Sequence, residues 1–130
     1  MTEEIKVKTN RRNELVDVTG QIQHVVSKSK TKEGICVVYC PHTTAGVTIN
    51  ENADPSVKED ILNRLSQLVP KNDGYSHVEG NSDSHIKASL MGNSRIILIE
   101  NRQLILGTWE GIFFAEFDGP RSRKLLISIK

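Results

Sequence analysis

The chain has 130 residues, 37% hydrophobic and 25% charged, which suits one folded domain rather than a disordered chain. Seventeen basic and sixteen acidic side chains leave a formal net charge of +1, so the dense cationic face of a nucleic-acid or membrane-surface binder is not expected. No apolar run approaches the ~20 residues of a membrane span, and Met1 to Asn13 holds no signal-peptide core, so a cytoplasmic protein is expected.

Ile5 to Thr9 alternates apolar and polar side chains and predicts a strand. Arg11, Arg12 and Asn13 turn the chain into a second strand, Leu15 to Val18. Thr19 is a candidate N-cap for a helix to about Lys28, with Ile22, Val25 and Val26 on its buried face and His24 opposite, toward solvent. The strand Gly34 to Cys40 carries the two cysteines, Cys36 and Cys40. Four extended residues span about 13 Å, whereas a disulfide needs Cα atoms within about 7 Å. They are therefore expected as unbridged, buried, apolar side chains.

Pro41 interrupts that strand, and Ala45 to Asn50 makes the next. Asp54 caps a helix that Pro55 opens; Val57, Ile61, Leu65 and Leu68, widened by Leu62 and Val69, form its apolar stripe. Pro70 ends the helix, and Lys71 to Gly80 is a polar loop. Ser82 is a candidate cap for a short helix through Met91, with Gly92 as its stop. The last third predicts strands at Arg95 to Ile99, Gln103 to Leu106, Trp109 to Phe117 and Lys124 to Ile129, with turns at Asn101-Arg102 and Asp118-Gly119-Pro120. These elements predict a single α+β domain: a β-rich, two-layer sandwich of mostly antiparallel strands with helices inserted.

Three of the four histidines, His42, His77 and His85, fall among polar segments at element ends, where binding groups gather on a rigid scaffold. Neutral imidazoles with one open position suit a catalytic zinc-type site. Neighbouring carboxylates could orient the rings or move protons. The alternative is that His42 and His77 are ordinary loop residues and His85 a helix-end residue. Glu116 shares a strand face with Ile112 and Phe114, so it must meet water or a cation such as Arg121 or Arg123. Trp109 reads as core or subunit interface rather than a stacking platform. Arg121 either takes a phosphate bidentately or pairs with Asp118.

The segments His42-Thr43-Thr44-Ala45-Gly46-Val47, Asn50-Glu51-Asn52-Ala53-Asp54-Pro55, His77 through Ala88, Gly107-Thr108-Trp109 and Glu116 through Arg121 resemble the YjbQ family, also called the secondary thiamine-phosphate synthase family. The resemblance implies a β-rich fold, a homotrimer with a polar pocket near subunit contacts, a zinc-like divalent ion on His42, His77 and His85, and a weak or secondary synthesis of thiamine phosphate. Glu110 stands where the family pattern more often has Gln.

The expected site thus takes Asp83, Glu51 and Glu79 as acid–base or orienting groups. Asn50, Asn81, Ser82, Lys87 and Arg121 are its expected substrate contacts. The partner is a small phosphorylated or anionic metabolite, with neither nucleic acid nor membrane expected. The sequence holds no glycine-rich phosphate loop, so the synthase reaction reads as a side activity. The competing reading is a non-catalytic, metal- or metabolite-binding homotrimer.

Overall fold

A computed structural model describes residues 2–130. The elements in chain order are β1 (Thr2–Lys8), β2 (Glu14–Asp17), α1 (Thr19–Ser29), β3 (Gly34–Tyr39), β4 (Ala45–Glu51), α2 (Pro55–Leu68), α3 (Ser82–Met91), β5 (Ser94–Glu100), β6 (Gln103–Leu104), β7 (Glu110–Glu116) and β8 (Ser122–Ile129). The strands form a five-stranded sheet, β1-β8-β3-β5-β6, and a three-stranded sheet, β2-β7-β4. Every pairing is antiparallel. The expected α+β, β-rich sandwich is the architecture found.

Strand alternation explains how the layers stack. Ile5 and Val7 of β1, Val38 of β3, Ile97 and Ile99 of β5 and Leu125 and Ile127 of β8 point from the larger sheet into one core. Val47 of β4 and Ile112 and Phe114 of β7 meet them from the smaller sheet, and Ile22, Val25 and Val26 of α1 join the same cluster. The opposite face of β7 presents Phe113 and Ala115, with Phe117 just beyond its end, to Leu62 of α2 and Ala88 of α3. So β7 is buried on both faces, which is why it reads as a continuous apolar run instead of an alternating one. Each buried side chain of this size stabilises the domain by roughly 1.5–3 kcal/mol before entropy is subtracted.

Several local expectations change. Thr19 is inside α1 rather than its cap; Val18 holds the cap position with no side-chain bond. The Thr19 hydroxyl instead accepts from the Ile112 N–H at 2.9 Å and donates to Asp17 at 2.7 Å, tying α1 to β7. Ser82 is likewise the first residue of α3, after Asn81. Asp54 does cap α2, accepting from the Ser56 N–H at 2.9 Å. The six-residue stripe of α2 is only partly covered: Leu62 and Val69 are buried, while Leu68 is 64% exposed. β6 ends at Leu104, although the Ile105 N–H still donates to the Leu98 carbonyl at 2.8 Å. Trp109 is 63% exposed in the turn before β7, so it is not core. His24 is exposed, and Cys36 and Cys40 are free and buried. No helix among the described residues is long and apolar enough to cross a membrane.

Candidate functional site

The chain crosses from the larger to the smaller sheet through Cys40 to Thr44, and this crossing places His42. Cys40 still donates its N–H to the Asn93 carbonyl at 2.8 Å, and burial raises its thiol pKa. Beyond it, His42 Nε2 accepts the Lys124 N–H at 3.0 Å, taking the place that β3 no longer fills beside β8. The His42 ring stands edge-on to Phe114, with centroids 6.2 Å apart. Burial, reinforced by the nearby Arg123 charge, lowers its pKa and keeps the imidazole neutral.

Facing this crossing are α3 and the loop before it. His85 sits on the fourth residue of α3, and the His77 ring meets it at 5.4 Å in a T-shaped contact. Glu79 Oε2 lies 3.9 Å from His77 Nε2. Asn81 donates through Nδ2 to Asp118 at 2.9 Å, while its Oδ1 is buried without a partner among the described residues. These groups line a cavity of about 730 Å³, together with Arg12, Lys71, Arg121 and Arg123. His42, distant in sequence, therefore shares one cavity with His77 and His85.

Two ion pairs, each built on a fully buried carboxylate, brace that wall. Arg123 donates Nε to Glu116 Oε2 at 2.8 Å and Nη2 to the Thr44 hydroxyl at 2.8 Å. Thr9 Oγ1 and the Asp118 N–H also donate to the carboxylate, each at 2.9 Å. Burial alone would raise the Glu116 pKa, but the Arg123 bonds and these donors hold it below the usual range. Under the other side of the cavity, Arg12 grips Asp83 through two bonds of 2.9 and 3.0 Å. Lys87 Nζ reaches Asp83 at 3.2 Å, and also Asn13 and Ser66. Burial opposes ionisation of Asp83 as well, and the Arg12 and Lys87 bonds outweigh it.

The expected residues therefore separate. His42, His77, Glu79, Asn81, His85 and Arg121 line the cavity. Asp83 and Lys87 do not line it; they are fully buried and act on it through Arg12. Ser82 does not line it either. Asn50 and Glu51 end β4, whose other end, Ala45, adjoins the crossing; six residues of strand put them roughly 20 Å away. There Asn50 accepts from the Glu51 N–H, and Glu51 accepts from the Asp54 N–H at 3.2 Å. Arg121 hydrogen-bonds the Asp118 carbonyl at 2.9 Å and its carboxylate at 3.2 Å, so it makes the turn pairing while remaining at the rim. Glu110 is exposed and accepts from the Gly107 N–H at 2.7 Å, outside the cavity lining.

The fit to a metal is incomplete. Among the described residues, no three His, Cys, Asp or Glu side chains converge as ligands. His42 has committed Nε2 to a backbone donor, which places its ring proton on Nδ1. His77 and His85 are close to each other, but no third such side chain completes their set.

Fold and cavity together define a small α+β sandwich with a polar, cation-rich, histidine-bearing cleft between its sheets and helix α3. The chain belongs to the family of UPF0047 proteins described as YjbQ-like, whose model matches residues 3–130. A UPF0047 protein of Methanocaldococcus jannaschii is 61% identical over 95% of this chain and 90% of its own length. The UPF0047 protein YugU of Bacillus subtilis is 45% identical over 99% of this chain and 98% of its own. The crystal structure of an uncharacterised YjbQ/UPF0047 protein from Clostridium acetobutylicum gives a TM-score of 0.97 at 54% identity, covering 98% of this chain and 99% of that one. A YbjQ-like protein of unknown function from Sulfolobus solfataricus gives 0.95 at 34% identity, covering 99% and 95%.

Proposed function

We propose that the cavity is the active site of an enzyme acting on a small phosphorylated or otherwise anionic metabolite, with thiamine-phosphate synthesis as a secondary activity. One observation carries this reading: four cationic side chains and a touching histidine pair line the same cavity of about 730 Å³. That volume suits a metabolite. Arg12 and Arg123 are neutralised by buried carboxylates; Arg121 pairs with Asp118 but is half exposed, and Lys71 has no ion pair among the described residues. These last two supply positive charge for a phosphate. In the synthase reaction the thiazole nitrogen forms a bond to the pyrimidine methylene carbon. The carbon–oxygen bond to diphosphate breaks, and diphosphate departs with the electron pair. Charge then builds on the leaving oxygens, where Arg121 and Lys71 would stabilise it. His77, steadied by Glu79, and His85 are the groups able to carry a proton, and Asp83 positions the wall through Arg12.

Zinc is among the metals that imidazole donors suit; His77 and His85 alone do not complete a ligand set among the described residues, so no step is assigned to a metal. Homotrimeric assembly belongs to the same proposal, and the exposed Ile96 and Leu98 on β5 give it an apolar surface to cover.

The test is a steady-state assay with both thiamine precursors on protein purified without chelator, its metal content measured and its mass determined by light scattering. His77→Ala, His85→Ala and Arg121→Ala are expected to lower kcat/KM by about tenfold or more, the effect of losing a positioned acid, base or charge. Rates equal to wild type in all three would remove the cavity from the reaction. Tight binding of the precursors without turnover would favour the non-catalytic module.

A further inference from the structure

A second cavity, of about 560 Å³, opens on the outward face of the larger sheet. Register builds it. β1 and β8 pair antiparallel with Lys6 opposite Lys124 and Lys8 opposite Ser122. Ile5, Val7, Arg123 and Leu125 alternate with them and point inward, so the three lysines share the exposed face. Like charges directly opposite across a strand pair are destabilising. Neither Lys6 nor Lys8 makes an ion pair among the described residues. The one carboxylate in the lining is Glu4, which lies 3.9 Å from Lys124 with both side chains nearly half exposed. Such a pair neutralises little.

The position of this lysine cluster matters as much as its charge. His42 and Arg123 line both this cavity and the first one. The His42 ring is fixed there by the N–H of Lys124 itself, so the wall between the cavities and the lysine strand form one unit. A small concavity with three lysines against one weakly paired carboxylate favours a compact anion with several charges. Exposed lysines on the edge strand β1 also discourage strand addition; what edge protection does not require is their convergence on a cavity shared with His42.

We propose that the cavity formed by Lys6, Lys8 and Lys124 is a second anion-binding subsite, for a diphosphate or the phosphate of a second small molecule, separated from the first cavity by His42. This goes beyond the reading above and does not rest on turnover in the first cavity.

Calorimetric titration of the full chain with inorganic diphosphate at low salt tests it, with inorganic phosphate as the second probe. Wild type is expected to bind two diphosphates per chain. The double substitution Lys6→Ala with Lys124→Ala should weaken one of them by about a hundredfold, for two lost charge-assisted contacts. Arg121→Ala should weaken the other. Relief of the cross-strand repulsion should leave the melting temperature of the lysine variant unchanged or raised, which establishes that it folds. Preference for diphosphate over phosphate would identify a diphosphate group as the ligand; equal binding would identify a single phosphate. A lysine variant with wild-type stoichiometry and affinity overturns the proposal. So does a single wild-type site that Arg121→Ala removes. A single wild-type site removed only by the lysine substitutions supports this subsite and counts against anion binding in the first cavity.

Discussion

Glu116 and Arg123 show how one residue pair sets the polar character of the cavity. Glu116 shares its strand face with Ile112 and Phe114 and is fully buried, inside the space between the sheets. An unpaired carboxylate there would ionise poorly, and an unpaired Arg123 would be a stranded cation. Glu116→Gln keeps size and part of the hydrogen bonding but removes the charge that compensates Arg123. The expected loss is about 3–5 kcal/mol, the range for breaking a buried pair by removing one partner. Urea unfolding measures it, and a loss under about 1 kcal/mol would show that the surrounding donors, not the ion pair, secure this region. The need for such a partner was legible, because a carboxylate on an apolar strand face has few alternatives. Arg12 was not: its bidentate bond to Asp83 joins residues 71 apart and leaves no local pattern beside an ordinary turn. Lys71 was equally silent, as a lone lysine in a polar loop.

At the scale of elements, α3 is the part that aims His85 and the Asp83 network, and its seat is a backbone-to-backbone contact. Gly92 ends the helix with φ of +95°, a conformation that suits glycine. Its carbonyl accepts the Val47 N–H at 3.1 Å, and a Cβ added at Gly46 would lie 2.5 Å from that same oxygen. Gly46→Ala must therefore push α3 away from β4. The expected destabilisation is about 1–3 kcal/mol, as for other overpacking changes. Thermal and urea unfolding test this, and an unchanged midpoint would mean that α3 is held elsewhere. Most elements could be read from sequence because alternation and helical spacing are strong signals; β3, β4 and α2 begin and end within a residue or two of expectation. What sequence left open was the tertiary use of each end. Thr19 and Ser82 have the chemistry of caps, yet the Thr19 hydroxyl serves β7, while Asn81 holds the cap position of α3. The polar run from Asn50 to Asp54 looked like part of the site, but a strand carries its two ends apart by its own length.

For the whole molecule, the same buried charges make stability depend on pH in a definite direction. Glu116 on β7 and Arg123 on β8 join the two sheets, while Asp83 on α3 and Arg12 join the outer helix to the turn before β2. The folded carboxyl pKa values of Asp83 and Glu116 are depressed, so their contribution is complete above the unfolded values of about 4 and disappears as pH falls through the folded values. His42 acts earlier but with the same sign. Its folded pKa is lowered, so below about 6.5 the unfolded chain binds a proton that the folded imidazole refuses. Stability is therefore expected to decline in two stages on acidification, first below about pH 6.5 and then below about pH 4. His42→Asn should remove the first stage and leave the second. Circular-dichroism melts between pH 8 and pH 3 resolve both; a wild-type melting temperature that stays constant down to pH 4, or a first stage that survives in the variant, would show that His42 does not couple the crossing to protonation. Because Arg12 and Arg123 line the cavity while holding these carboxylates, acid loosens the cavity walls as it weakens the fold.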